Sequence, residues 1–466
     1  FCSSRILVRN NGIKKMDVRN YVTYSASSIS FPIGRKLEQS QLMRRTMSVD
    51  TTTNHLDYLK FNEDNANKTV VVGMSGGVDS STSAYLLKEA GYNVIGLYMK
   101  NWDATDEYGV EQCPAESEFI DVESVCNYLN IPVHRVNFVK EYWQEVFTPF
   151  IDGYENGLTP NPDVLCNKQI KFNKFLHKAK ELGADYVATG HYVRTAYEYD
   201  YNSATNEKRI KLLSALDQSK DQSYFLSFVN ADALQNVIFP VGNMYKEDVR
   251  KIAKEAGLPT ADKKDSYGIC FIGKRDFRDF IDGYITSKPG YFRNVENINE
   301  IVGTHESCVF YTIGQQSRIS GAKHKWYVCD KDYFTNAVIV ANSRSHPSLY
   351  CDSVVLKTCN FHWVNNNKPP SKLSGFNGDG EMEGTCRIRH RQLMTPCRFK
   401  LSGDDLIVKF DSPQYAATPG QICALYCTDG IECYGGGIIE EKGETYYEMG
   451  HTEMVGINDT DGNHAF

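Results

Sequence analysis

The sequence predicts an α/β chain with three parts: an N-terminal doubly wound parallel sheet, a small central linking domain and a C-terminal β-barrel. Three observations predict it. From Lys68 onward, short apolar runs alternate with helix-like stretches. A helical stretch at Lys246–Gly257, with Val249, Ile252, Ala253 and Ala256 on one face and a glycine stop, follows that alternation. After about Ile301 the texture changes to short alternating segments separated by Gly, Pro, Asn and Asp. The 466 residues suit about three domains, which gives boundaries of 1–60 (leader-like segment), 68–235, 236–300, 301–440 and 441–466 (tail).

The elements follow in order. Thr69-Val70-Val71-Val72 is a β-branched run that reads as a buried strand, and a helix is expected over Ser83–Glu89, closed by Gly91. Strands are expected at Asn93–Met99, Val133–Phe138 and Asp185–Thr189, and helices at Glu118–Leu129 and Lys168–Leu182. The barrel is expected from Cys308–Thr312, Trp326–Cys329, Ala337–Ala341, Thr385–Arg391, Leu406–Phe410 and Gln421–Tyr426. Asn202–Asn206 and Asn365–Asn367 read as loop insertions.

Composition excludes some classes. No run of roughly 18 apolar residues exists, so neither a transmembrane helix nor a membrane partner is expected. A net charge of −7 argues against a surface coated by nucleic acid and leaves that question to local patches. The 14 cysteines show no zinc-ligand spacing, so no metal-ligating residues are assigned. The first 50 or so residues carry Arg5, Arg9, Lys14, Lys15, Arg19, Arg35, Lys36, Arg44 and Arg45 against Asp17, Glu38 and Asp50, with serines interspersed. That is the composition of an organelle transit peptide, a basic tail being the alternative.

Four segments carry chemistry. The first is the loop Val71–Ser81, VVGMSGGVDSS, between the first strand and a helix, a frame suited to phosphate. It lacks the lysine of a Walker A loop and the spacing of a Rossmann turn. Ser75 to Ser80 spell SGGVDS, which resembles the pyrophosphate loop of N-type ATP pyrophosphatases; a tight turn before a capped helix is the alternative. The second is Thr159–Asn173, in which two prolines stiffen a loop that presents Asp163 and Cys166 before a helix. Lys168, Lys171, Lys174 and Lys178 share one face of that helix, either as a solvated face or as cations that favour a nearby thiolate. The third is DSYGICFIG at 265–273, where Cys270 is either a buried core cysteine or a reactive one. The fourth is Gly190-His191, at a strand end where ligands bind or a chain simply turns.

Together SGGVDS (75–80), TPNPDVLCN (159–167), ATGHY (188–192), KDQSYFL (220–226), GICFIG (268–273), TIGQ (312–315) and TPGQ (418–421) resemble the tRNA-specific 2-thiouridylases. The transit-like start is most similar to the mitochondrial branch, which implies the matrix. The resemblance implies adenylation of a wobble uridine by ATP with Mg2+, then persulfide sulfur transfer. By motif position Cys270 would carry the sulfur, loaded by an upstream persulfide donor such as a cysteine-desulfurase relay. Cys166 would attack it, leaving a Cys166–Cys270 disulfide, with Asp163 as acid or base. Asn161, Pro162 and Asp163 would hold the flipped base. ATP would lie on Gly73, Met74, Ser75, Gly76, Gly77, Val78, Asp79 and Ser80, with Met99 and Gly190 at the nucleoside.

For tRNA, the matching positions are His191, Lys220, Asp221, Gln222, Arg389, His390 and Gln421. His390 stands where the family often has tyrosine. Arg387, Arg389 and Arg391 alternate along an expected strand and so would form a phosphate-binding stripe. Two other readings use part of these features: an amide-forming pyrophosphatase such as a GMP synthetase, and a non-enzymatic tRNA-binding or sulfur-relay protein.

Overall fold

The computed structural model describes residues 59–103, 114–199, 208–265, 271–272, 275–365, 368–370, 373 and 380–454. The leader-like segment up to residue 58, Cys270 with most of GICFIG, the Asn202–Asn206 stretch and the end of the tail lie outside the described residues.

Five strands form the N-terminal sheet: β1 (Thr69–Met74), β2 (Asn93–Lys100), β3 (Val133–Asn137), β4 (Tyr186–Thr189) and, after a hairpin of β5 (Val193–Tyr199) and β6 (Lys208–Ser214), β7 (Val237–Ile238). All pairings are parallel in the order β3-β2-β1-β4-β7. Val70, Val71 and Val72 are fully buried, as an apolar run in a central parallel strand must be when both faces are covered. The order reverses between β1 and β4, and their carboxyl ends open the crevice where such sheets bind ligands.

Two helices begin earlier than the sequence suggests. α1 runs Val78–Glu89 rather than from Ser83, and α2 runs Pro114–Leu129. The prolines of TPNP do not lead into a free loop. Asn161 caps a helical run at 162–181, accepting from the Asp163 N–H at 3.1 Å, with Pro162 in its first position. Asp163 and Cys166 therefore lie on the helix, not before it. The helix α3 (Lys246–Glu255), expected in a linking domain, instead shares a core with the sheet: Ala253, Ala256 and Leu258 pack with Val70, Val72, Ala84 and Leu87.

β8 (Gly290–Asn294), β9 (Ile301–His305), β10 (Tyr327–Asp332) and β11 (Ala337–Ala341) form a separate sheet in the order β10-β11-β8-β9. The segments Trp326–Cys329 and Ala337–Ala341 therefore belong to a central domain, not to the C-terminal barrel, and Cys308–Phe310 is a 3₁₀ turn. Phe280, Ile281, Phe292, Val328 and Val338 join this domain to one core with Val71, Leu97, Phe147 and Cys166.

The C-terminal barrel has six strands in closed order: β12 (Tyr350–Lys357), β16 (Asp405–Tyr415), β15 (Thr395–Ser402), β14 (Glu381–Arg387), β17 (Ile422–Tyr426) and β18 (Glu432–Lys442), with β18 pairing back to β12. A short β13 (His362–Trp363) pairs with β18. Leu356, Phe399, Val408, Leu425 and Ile439 fill its interior. The barrel is also stitched to the first domain, because β6 pairs with β18 through Leu213–Glu432 and Leu212–Cys433. Among the described residues no helix is long and apolar enough to cross a membrane.

Candidate active site

The loop after β1 turns at Gly76, whose φ of +68° favours glycine and whose added Cβ would meet the Glu118 carbonyl at 2.8 Å. Ser75 Oγ and Ser80 Oγ lie 3.1 Å apart, and the Ser75 N–H donates to Ser80 Oγ at 3.2 Å. Gly77 caps α1 without a side chain, so first-turn N–H groups and the dipole face an incoming anion. Met74 and Val78 are core residues that offer the loop only their backbones.

Gly190 closes the crevice from the β4 side. A Cβ there would come within 2.7 Å of the Ser80 nitrogen and 2.9 Å of the Asp79 carbonyl carbon, so close packing on the start of α1 requires glycine. Gly73 is likewise tight, against Phe175 at 3.3 Å, and Met99 packs at the edge of the apolar core near the end of β2.

Asp79 points into a charged network that sequence reasoning missed. Its carboxylate accepts from Tyr192 Oη at 2.8 Å and from Lys246 Nζ at 2.7 and 2.8 Å. Lys246 Nζ also reaches Asp265 Oδ1 at 2.9 Å, and Asp265 is held by Lys220 at 3.0 Å and Arg250 at 2.6 Å. Burial would raise the Asp265 carboxyl, but hydrogen bonds from Lys246 and Lys220 overcome it and hold the pKa at about 2. Lys263 Nζ donates to the Gly76 carbonyl at 2.9 Å and pairs with Asp121. One signal could have found Lys246: it is the first residue of α3, where the helix dipole disfavours a cation.

On the helical run 162–181, Cys166 is 3% exposed. A wide π turn spans Cys166–Lys174, with Phe172 off helical geometry at φ −107° and ψ 23°. Burial pushes the Asp163 carboxyl above its ordinary pKa, and Lys171 offsets part of the rise. Asn167 donates to the Asp163 carbonyl at 3.0 Å. His191 is set between Thr189 Oγ1 at 2.8 Å and Lys171 Nζ at 3.5 Å, and burial, with Lys171 adding to it, drives its pKa well down, so the ring is neutral. It has a built hydrogen-bonded place, not that of a simple turn residue.

The residues expected to meet tRNA divide. Lys220 is partly exposed beside Asp265. Asp221 is not at the surface: it is 3% exposed and accepts from Arg387 at 2.5 Å, the Ser223 hydroxyl at 2.7 Å and the Ala215 N–H at 2.8 Å. Burial without such donors would be costly, so this carboxylate is an internal tie between the first domain and the barrel. Gln222 accepts from the Tyr192 N–H at 2.9 Å, and Gln421 donates to the Thr159 carbonyl at 2.6 Å.

The expected arginine stripe does not exist. β14 ends at Arg387, which is buried; Arg389 sits in the following turn and donates to the carbonyls of Ile313 at 2.9 Å and Ala416 at 2.7 Å; Arg391 is exposed. Arg389 thus ties TIGQ to the segment before TPGQ. His390 packs on Phe225 at 4.2 Å between centroids, and burial lowers its pKa.

A family model described as the tRNA methyl transferase HUP domain matches residues 68–274. Others described as the tRNA methyl transferase PRC-barrel domain and the aminomethyltransferase beta-barrel domain match 278–342 and 353–439. The chain is 46% identical over 388 residues to tRNA-specific 2-thiouridylase MnmA of Idiomarina loihiensis, covering 81% of this chain and 97% of the relative. It is 45% identical over 387 residues to the protein of the same name from Protochlamydia amoebophila, covering 82% and 96%. For that of Listeria monocytogenes the figures are 46% over 379 residues, covering 81% and 95%.

Proposed function

Because this chain belongs to the tRNA-specific 2-thiouridylase family, we propose that it replaces the C2 oxygen of the wobble uridine of tRNA with sulfur at the expense of ATP. The observation that carries this reading is identity of about 45% along nearly the whole length of relatives bearing that name. The glycine-rich loop fits it: an uncapped helix start beside small residues suits the pyrophosphate half of ATP. That chemistry favours activation by ATP over the methyl transfer named in the family models. The same loop is needless for a non-enzymatic relay.

The chain's own residues then divide the work. The segment 73–80 would receive the phosphates, with Met99 and Gly190 near the nucleoside. Within 73–80 Asp79 is the one carboxylate that would hold Mg2+, and it would have to exchange the Lys246 ammonium for the metal, which would screen phosphate charge when bound. Asn161, Pro162 and Asp163 would receive the flipped uracil, and Asp163, its pKa raised by burial, holds a proton to higher pH than an exposed carboxyl and can deliver it.

Cys270, loaded by an upstream persulfide donor, would present the sulfur. Attack by Cys166 on its inner sulfur forms a Cys166–Cys270 disulfide and frees hydrosulfide, which adds at C2 as AMP leaves. Lys220, His191, Gln222, His390, Arg389 and Gln421 would line or support the tRNA side. The basic leader-like composition supports a mitochondrial matrix address, checked by fractionation of a tagged full-length protein.

The purified protein with ATP, sulfide and unmodified tRNA should yield AMP, pyrophosphate and 2-thiouridine, and tRNA from cells lacking it should have lost that nucleoside by mass spectrometry. Unchanged 2-thiouridine in those cells would overturn the reading.

A further inference from the structure

The phosphate loop after β1 contains no lysine, yet a triphosphate whose terminal half must leave carries several negative charges that backbone N–H groups meet only in part. The fold brings a lysine from elsewhere. Lys246 is 8% exposed, a depth at which lysine persists only when paired. Its ammonium sits on both oxygens of Asp79, the fifth residue of SGGVDS, at 2.7 and 2.8 Å, and on Asp265 at 2.9 Å. Two carboxylates on one ammonium are more than its own neutrality needs. Asp265 is further restrained by Lys220 and Arg250, so it is a fixed anchor for Lys246. A second cation, Lys263, lies on the carbonyl of Gly76 in the same loop.

We propose that Lys246 supplies the cation the loop lacks, binding the β- and γ-phosphates of the nucleotide and then the departing pyrophosphate, with Asp265 as the positioning residue that holds it there. The proposal deepens the ATP-dependent reading of this site and rests on it. It assigns to Lys246, which lies outside every quoted motif, the task that a loop lysine performs in Walker A proteins.

The test separates the two halves of the nucleotide. In the full-length protein, Lys246→Met should weaken inhibition by inorganic pyrophosphate about 10-fold or more, the usual scale for losing a charge-assisted contact, while inhibition by AMP stays within a factor of about two. Lys246→Arg should recover most of the pyrophosphate affinity. Asp265→Asn should keep AMP affinity and lower pyrophosphate affinity by less than Lys246→Met does. Circular dichroism checks folding, and Lys246→Gln, which keeps a donor to both carboxylates, replaces the methionine variant if that one does not fold. Equal pyrophosphate inhibition of variant and wild type, or equal loss of AMP and pyrophosphate affinity, overturns the proposal. Failure of the wild type to make 2-thiouridine would sink the thiolation reading alone, because the inhibition constants can be read from ATP turnover or by direct binding.

Discussion

Gln421 donates its side-chain amide to the main-chain carbonyl of Thr159 at 2.6 Å, and the Thr159 N–H returns a bond to the Pro419 carbonyl at 3.2 Å. A barrel loop is thereby clamped to the residues that precede Asn161, Asp163 and Cys166. Gly420 makes the approach possible: its φ is +88° and a Cβ would meet the Thr159 nitrogen at 2.7 Å. Gln421→Ala should cost about 1 kcal/mol of stability, the typical worth of one neutral hydrogen bond, but lower thiolation more than that loss of folding explains. Urea unfolding and single-turnover assays check it; a parallel fall in both would make the contact merely structural.

Asp79→Ala should abolish tRNA-dependent AMP formation, by about 100-fold or more if the carboxylate organises the charges around the leaving pyrophosphate. tRNA binding, followed by filter retention, should persist. AMP release at the wild-type rate would remove Asp79 from the chemistry.

Arg389 and Arg391 should behave differently. Arg389→Ala strands the carbonyl of Ile313, leaves that of Ala416 with the Thr418 hydroxyl at 2.9 Å, and should destabilise the fold by about 2 kcal/mol, within the range for a buried group left without its partner. Arg391 is exposed, and Arg391→Ala should leave stability unchanged and lower the salt slope of tRNA binding by about 0.9, one phosphate's worth. A salt slope that changes with Arg389 and not with Arg391 would reverse these assignments.

The Asp163 carboxyl binds its proton more tightly in the fold than in the unfolded chain, because burial disfavours the anion. That stabilising contribution is present at low pH and is lost as pH rises through the folded pKa. Asp163→Asn should therefore be the more stable protein at neutral pH, with a melting-temperature advantage that shrinks on acidification, while its thiolation falls sharply. A constant difference across pH would place the carboxyl in water.

Cys270→Ser should still adenylate tRNA but accept no labelled persulfide sulfur, whereas Cys166→Ser should load sulfur on Cys270 and fail to deliver it. Peptide mapping after one turnover without reductant should show the two joined in the wild type. Wild-type rates of 2-thiouridine formation in both single variants would end the persulfide route through this pair.

What was legible in the sequence was whatever local pattern determines. The valines of β1 announce a strand buried on both faces, and Gly91 and Gly257 stop their helices with φ of +92° and +67°. The start of α1 was hidden because Ser81, Thr82 and Ser83 look unlike helix formers, yet each hydroxyl donates to the carbonyl four residues back and is satisfied inside the helix. The helix at Pro162 could have been read from Asn161 and Pro162 as cap and first residue. The fate of Arg387 could not, since its partner Asp221 lies 166 positions away and only the closed barrel brings them together. The place of Lys246 at the start of α3 marks it as unusual, but its task was hidden for the same reason: it is set by Asp79, 167 positions earlier.

The pairing of β6 with β18 also constrains how the chain is made. During synthesis the first domain emerges with the hydrogen-bonding edge of β6 uncovered, and the strand that covers it begins at residue 432. Val193, Ile210 and Leu212 must likewise wait for Ile422, Ala424, Tyr426 and Cys433 before their shared core is complete. An uncovered edge next to unfilled apolar surface is a template for association with other chains. The nascent protein is therefore most in need of a chaperone over the roughly 200 residues translated between those two strands, and a chain shortened before β18 would lose solubility in its ATP-binding half, not only its barrel.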